Sequence, residues 1–469
     1  MLTALGRLFF LPFWRLLVHL YSLEVPMKRC SALLLIWSWV CGFETEPISA
    51  QQPPARNGSA VSEYVKERLP DWLKFGGEMR TRLEGFSGGE FRERNNDLYL
   101  LTRVRLNLGI KPTGWMKFQF QAQDAQVFGK KTNLDGPPFE DTFDLRMAYL
   151  ELGDSEKEPI GFRIGRQELV FGEQRLIGHV SWLNTARSFD AVRATFRHRG
   201  YRLDTFASAV VNVREGEFNK RSDGNNFHGL YGGIEKLVPQ AVIEPYLLWR
   251  ITPRLRGELG GLGNLDHKTT GFRWAGKLPN AFDYSVEMAN QRGSLGTDQV
   301  RAWAGHWLVG RIVGHLAYEP RFILEYNYAS GDKNPGDGVI QTFDQLYPTP
   351  HDKTGLTDQI AWKNVHHLRS GVELKPRPKW LVSSSYHSFW LADRRDGLYG
   401  VNNALIVRVI DGSAGRFVGQ EVDVQAFWNP SKVVQIGGGY GYLFPGTFLK
   451  STKPGSGYGF PYLSLNYVF

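Results

Sequence analysis

Strict alternation of apolar and polar residues over segments of about ten is what most restricts this chain, because a period of two sorts side chains to two faces only in an extended strand. Between Asp97 and Ile110, Thr102, Val104, Leu106, Leu108 and Ile110 oppose Arg103, Arg105 and Asn107. Between Trp115 and Asp124, Met116, Phe118, Phe120 and Ala122 oppose Lys117, Gln119, Gln121 and Gln123. Phe75, Met79, Thr81 and Leu83 against Glu78, Arg80 and Arg82 make a first such strand, and Val192, Ala194 and Phe196 against Arg193, Thr195 and Arg197 another. The final residues repeat the pattern, with Leu463, Leu465, Tyr467 and Phe469 on one face and Ser464 and Asn466 on the other. One apolar and one wet face suits a strand with lipid outside and a polar lumen inside.

Counting such segments gives eighteen strands, near 73–84, 98–110, 115–124, 143–152, 160–168, 189–197, 201–210, 228–236, 242–250, 270–278, 281–290, 300–308, 319–329, 365–375, 380–391, 418–428, 433–443 and 460–469. Long polar loops alternate with tight turns such as Lys111-Pro112-Thr113-Gly114, His198-Arg199-Gly200, Pro376-Arg377-Pro378-Lys379 and Asn429-Pro430-Ser431-Lys432. A soluble sandwich has no reason to put its long loops at one end or polar residues on a would-be core face, whereas an outer-membrane barrel needs both. The expected fold is all-β, a transmembrane antiparallel β-barrel of about 18 strands with long extracellular loops and short periplasmic turns. Because hydrocarbon offers no partner to an open sheet edge, Leu73 to Glu84 is expected to pair with Pro461 to Phe469.

The two continuous apolar runs, Leu8 to Leu20 and Ser31 to Phe43, fall short of the ~20 residues with which a helix spans a bilayer. Met27-Lys28-Arg29 before the second run and Ile48-Ser49-Ala50 after it supply the charged, apolar and small-residue regions of a secretory signal. The expected organisation is an N-terminal extension and signal peptide over 1–50, a polar periplasmic tail over 51–70, and the barrel over 71–469. Cys30 and Cys41 fall in the leader, so neither a disulfide nor a free thiol is expected in the mature chain. The formal net charge is +9, and the first fifty residues hold only four basic and three acidic side chains. The excess therefore belongs to the mature protein, where a basic interior or rim favours anionic solutes.

No HExxH, convincing nucleophile elbow or Walker loop is present, and the run Gly257 to Gly263 lacks the strand-then-helix setting of a dinucleotide loop. Neither enzyme activity nor a cofactor is expected. His366 and His367 are adjacent on a strand, which sends their rings to opposite faces and makes them poor joint metal ligands. In the loop Ala329 to Asn364, Asp332, Asn334 and Asp337 offer spaced oxygens to calcium, but the spacing departs from an EF-hand loop. The favoured reading there is a turn-rich loop folded into or over the pore.

On the parities above, Arg80, Arg82, Arg103, Arg105, Lys117, Arg193, Arg197 and Arg369 project into the lumen. Basic side chains in a pore lower the cost of moving an anion, while Glu78, Glu325, Glu373 and Asp423 can pair with them and hold the ladder in place. The competing reading is a plugged barrel in which the bases chiefly satisfy those carboxylates. The basic excess on these faces favours the anion path.

Ile164 to Phe196, IGRQELVFGEQRLIGHVSWLNTARSFDAVRATF, and Tyr326 to Asp393, with YNYASGDKNPGDG, TFDQLYPTPH and YHSFWLAD, resemble the bacterial alginate-export family of outer-membrane proteins. The similarity runs from about Leu73 to the end. This resemblance implies an eighteen-stranded monomeric barrel exporting an acidic polysaccharide through an arginine-lined, electropositive conduit gated by loops. Arg166, Gln167, Gln174, Arg175, Arg187, Asp190 and Arg193 match recurring polar positions of the family motif. Arg166, Arg187 and Arg193 are accordingly expected to face the permeation path, with Asp190 among its acidic partners.

The leading expectation is a bacterial outer-membrane channel for export or diffusion of anionic solutes, with alginate as one candidate. The alternatives are a binding or adhesion barrel with a blocked lumen, working through the loops from 329 and 391, and a general porin without polysaccharide specificity. Expected partners are membrane lipid, the barrel-assembly machinery reading Phe469, the anionic solute and a periplasmic export protein, with no nucleic acid.

Overall fold

The computed structural model describes residues 68–131, 137–258 and 260–469. The expected leader and residues 51–67 of the expected tail lie outside them. The strands are β1 Leu73–Phe86, β2 Asp97–Thr113, β3 Met116–Phe128, β4 Asp141–Leu152, β5 Ile160–Gln167, β6 Phe189–His198 and β7 Tyr201–Asn212, then β8 Lys220–Ile234, β9 Ala241–Arg256, β10 Leu262–Leu278, β11 Phe282–Leu295, β12 Asp298–Ile312 and β13 Arg321–Ala329. After the short β14 Val339–Ile340 come β15 Val365–Leu374, β16 Trp380–Leu391, the loop hairpin β17 Gly397–Tyr399 and β18 Leu405–Arg408, and finally β19 Phe417–Trp428, β20 Val434–Pro445 and β21 Tyr458–Val468.

Leaving out β14, β17 and β18, eighteen strands pair antiparallel with their neighbours and form one closed sheet. The seam is β1 against β21, from Glu78 opposite Val468 to Glu84 opposite Tyr462, the pairing expected from the sequence. Closure removes the unpaired edge that hydrocarbon would not tolerate.

Alternation sets the two faces of the wall. Phe75, Met79, Leu83, Val104, Leu106, Leu463 and Leu465 are exposed outward, a surface that bilayer rather than water solvates. Their neighbours Arg80, Arg82, Arg103, Arg105, Gln121 and Gln123 are buried inside. Several strands run further than alternation suggests. β8 starts at Lys220 and β10 at Leu262, because the ends beyond the hydrocarbon are polar on both faces and lose the period-two signal. Connections are short at one end, as at 114–115, 199–200 and 429–433, and mostly long at the other, where the two-residue turn Gly296-Thr297 is the exception. Gly296 takes φ +58 there, a left-handed conformation that glycine adopts at little cost.

Two long loops at that end, 168–188 and 330–364, turn into the lumen and join each other. Gly178 N–H donates to the Tyr347 carbonyl at 2.8 Å, Tyr347 N–H to Leu176 at 2.9 Å and Thr349 N–H to Gln174 at 2.8 Å, a short strand-like splice. Apolar side chains fix this unit to one wall. Phe171 stacks on Tyr231 at 4.5 Å, and Tyr347 meets Phe227 edge-on at 4.9 Å, within a core that includes Leu169, Leu176, Phe189, Phe206, Phe343 and Leu346. The inward face is therefore partly apolar, and each large side chain buried there contributes roughly 1.5–3 kcal/mol.

Candidate functional site

The remaining wall, from β1 to β3, presents arginines to the loop segment Ser181-Trp182-Leu183-Asn184. Arg80 donates to the Ser181 carbonyl at 2.8 Å, the Leu183 carbonyl at 3.2 Å and Asn184 Oδ1 at 3.2 Å. Arg103 donates to the same two carbonyls, both at 3.1 Å, and pairs with Glu78. Arg105 donates to Gln123 at 2.8 Å. Arg82 pairs with Glu84 and lies over the Trp182 ring, 3.8 Å from its centre, and the indole stacks in turn on His351 of the second loop at 3.7 Å. Arg80 and Arg82 are two residues apart on β1, Arg103 and Arg105 two apart on β2, and Arg80 stands opposite Arg103, so alternation alone aims them at one place.

Beside this contact lies a small cavity of about 80 Å³, walled by Arg80, Arg82, Arg103, Arg105 and Glu78 and ending towards Gln435 and Asn466, near the short-turn end. Four arginines and one glutamate border it; Arg103 is paired with Glu78 and Arg82 with Glu84, so Arg80 and Arg105 leave the wall basic. The buried Nη1 of Arg82 and Nη2 of Arg105 have no hydrogen-bond acceptor among the described residues.

The opposite wall is balanced by carboxylates. Glu325 accepts from Arg175 at 2.8 Å and Arg369 at 3.3 Å. A chain of contacts crosses five strands: His306 to Asn327 at 2.8 Å, Asn327 to His367 at 3.0 Å, His367 to His387 at 2.9 Å and His387 to Asp423 at 3.1 Å. Asp423 and Glu421 accept backbone N–H groups of Leu356 and Thr357 at 3.1 and 2.9 Å, tying the second loop to this side. On a third side Asp344 accepts from Arg250 at 2.7 Å and lies 3.0 Å from His267.

Other residues singled out in the sequence have narrower places. Arg193 bonds Asp204 at 2.7 Å and Arg197 the Ser155 carbonyl at 2.9 Å, both facing inward. Lys117 stands opposite Glu151 on β4, and Glu373 accepts from Arg321 at 3.0 Å. Arg187 donates to the carbonyls of Gly178 and Pro348 at 3.1 and 3.0 Å, so it pins the two loops together.

Arg166 and Asp190 require a correction. They pair with each other at 2.9 Å, in register on β5 and β6, and share the outward parity of Ile164 and Val192 instead of facing the permeation path. The motif carried no parity information at this place. The oxygens offered to calcium have other partners: Asp332 accepts the Asn334 N–H at 3.0 Å, Asp337 accepts the Val339 N–H at 2.8 Å, and Asn334 accepts from Arg395 at 3.2 Å. These oxygens close turns, and among the described residues no group of three or more His, Cys, Asp or Glu is placed to hold a metal ion. Reasoning from periodicity missed Ser181, Trp182 and Asn184, the loop residues that meet the arginines, because a loop has no period to reveal which way it folds.

A family model described as alginate export matches residues 71–458. The chain belongs to the alginate-export family. Membership places this barrel in the bacterial outer membrane, among channel proteins. Solved outer-membrane barrels share the architecture. The outer membrane protein OpdK of Pseudomonas aeruginosa matches with a TM-score of 0.55 at 10% identity, over 84% of this chain and 99% of that one. OpdO of the same organism matches with 0.54 at 13% identity, over 86% and 99%, and OccAB2 of Acinetobacter baumannii with 0.55 at 10%, over 84% and 98%. At such identities the likeness is one of fold. No curated protein matches the sequence.

Proposed function

We propose that this alginate-export barrel is a loop-gated channel for anionic solutes, selected by Arg80, Arg82, Arg103 and Arg105. The observation that carries the reading is the imbalance of the β1–β3 wall, where four arginines and one glutamate border the cavity. Guanidinium donors of Arg80 and Arg103 are held by loop carbonyls. A carboxylate attracts a guanidinium by its full charge and can accept two parallel N–H bonds from it, whereas a backbone carbonyl offers only a dipole. An arriving anion thus competes with Ser181 and Leu183 for the same donors, and recognition loosens the segment that obstructs it. Unpartnered N–H groups on Arg82 and Arg105, buried while the segment is docked, become available to the anion once it loosens.

The family description, alginate export, makes an acidic polysaccharide one candidate solute. A solved structure of OpdK is of that protein with vanillate, so a small anion is another. Docked loops also support a blocked, ligand-binding barrel. Proteoliposome swelling distinguishes these readings. Glucuronate and glucose differ chiefly in charge, and glucuronate should enter several-fold faster through the wild type. That preference should shrink when Arg80 and Arg105 become glutamine. Equal rates would leave a general porin, and no swelling with either sugar a blocked barrel.

A further inference from the structure

A second basic site lies outside the barrel. On β10, β11 and β12, Lys268 stands directly opposite Arg292, and Arg292 directly opposite Arg301. All three are exposed and share the outward parity of Phe272, Met288 and Trp303. Strands are ~4.8 Å apart, so the three cations fall within roughly 10 Å of one another. Like charges placed directly opposite on a sheet destabilise it. Nothing among the described residues neutralises them: Arg292 donates to the Gln291 carbonyl at 2.8 Å and Arg301 to Gln299 at 2.6 Å, while the nearby carboxylate of Asp266 accepts the Trp249 indole N–H at 2.7 Å. Lys268 Nζ lies 5.4 Å from the centre of the Trp249 ring.

The height of this row identifies what it meets. Lys268 is ten residues up β10 from the exposed Leu278 at the short-turn end. Ten residues rise ~33 Å along a strand, and a tilt of about 40° reduces this to ~25 Å along the membrane normal, the height of an apolar band. Phe272 and Trp274 occupy the interval on β10, and Trp249 and Trp303 flank the row. The cations therefore sit at the outer edge of the hydrocarbon, level with the headgroups of the external leaflet. We infer that Lys268, Arg292 and Arg301 form a binding site for a phosphorylated glycolipid of that leaflet, lipopolysaccharide, clasping its lipid A phosphates while its acyl chains lie against Phe272, Met288 and Trp303.

Native mass spectrometry of the detergent-solubilised full chain with added bis-phosphorylated lipid A tests this. The wild type should retain the lipid, and the variant Lys268→Gln, Arg292→Gln, Arg301→Gln should lose affinity roughly 100-fold. Dephosphorylated lipid A should bind the wild type as weakly as the intact lipid binds the variant. Equal retention by variant and wild type, equal binding of the dephosphorylated lipid, or displacement of lipid A by millimolar inorganic phosphate would each overturn the inference. Heat-modifiable migration and unchanged lumen current check that the variant is folded and keep this site separate from the proposed conduit. Should the variant fail to fold, the wild-type comparison of phosphorylated and dephosphorylated lipid decides alone.

Discussion

Replacing Asn184 with alanine should release the inward loop 168–188 while leaving the barrel wall intact. Asn184 is 1% exposed and reaches three strands or their connections at once. Its Nδ2 lies 3.0, 3.1 and 2.9 Å from the carbonyls of Thr102, Gln126 and Phe139, and its Oδ1 accepts from Arg80 at 3.2 Å. Two N–H groups serve the three carbonyls, so the truncation removes two neutral bonds of ~1 kcal/mol each and one to a charged donor of ~2 kcal/mol. Water reaching the freed carbonyls returns part of this, leaving about 2–4 kcal/mol. At ~1.4 kcal/mol per decade, the released form should gain roughly 30-fold to 1,000-fold in population. Hydrogen exchange across 169–187, with single-channel recording, reads the change directly. Exchange and opening frequency indistinguishable from wild type would refute the idea that this side chain holds the loop closed.

Three further outcomes follow from the same loops. Burial would raise the Glu168 carboxyl, but the Arg146 guanidinium and His179 beside it prevail and hold it down to about 2. Its contribution to docking is thus present above the ordinary carboxylate range and lost as pH falls towards about 2, so exchange in 169–187 should accelerate on acidification. Asp332 behaves oppositely, because burial, then the hydrogen bond with the Glu258 side chain, pushes its carboxyl up to about 8. Ionising it costs the folded loop nothing below the ordinary carboxylate range and most above about 8, so proteolysis within 331–338 should be faster at alkaline pH. Gly178→Ala places a Cβ 2.2 Å from Thr349 Oγ1, which already donates to Gln174 at 2.9 Å and accepts the Val180 N–H at 3.0 Å. The splice between the loops should weaken by about 2 kcal/mol, with heat-modifiable migration of the barrel unchanged and protease sensitivity at 174–180 increased.

Most of the wall was legible in the sequence because lipid imposes a rule that each residue obeys separately. Val104 must face hydrocarbon and Arg105 must not, so alternation marked strands, faces and the β1–β21 seam together. The same parity placed His366 and His367 on opposite faces, where His367 is fully buried and His366 meets Tyr326 at 2.7 Å on the outside. The interior was less legible. Phe206, Phe227 and Tyr231 point inward and are apolar because the loops, not water, cover them, and no local pattern announces a loop that returns to fill its own barrel. Arg166 shows the converse, since a recurring motif position fixes a side chain's identity without its face. The partners of Arg80 and Arg103 were also out of reach: the Ser181 and Leu183 acceptors are backbone atoms 78 to 103 residues away, which any residue there could have supplied.

The reversal potential of single channels in a planar bilayer under a KCl gradient tests the central claim most directly. A basic conduit through the β1–β3 wall requires the wild type to be anion-selective and the pair Arg80→Glu, Arg105→Glu to shift towards cations. A cation-selective wild type, or a reversal potential that the two substitutions leave unmoved, would contradict it.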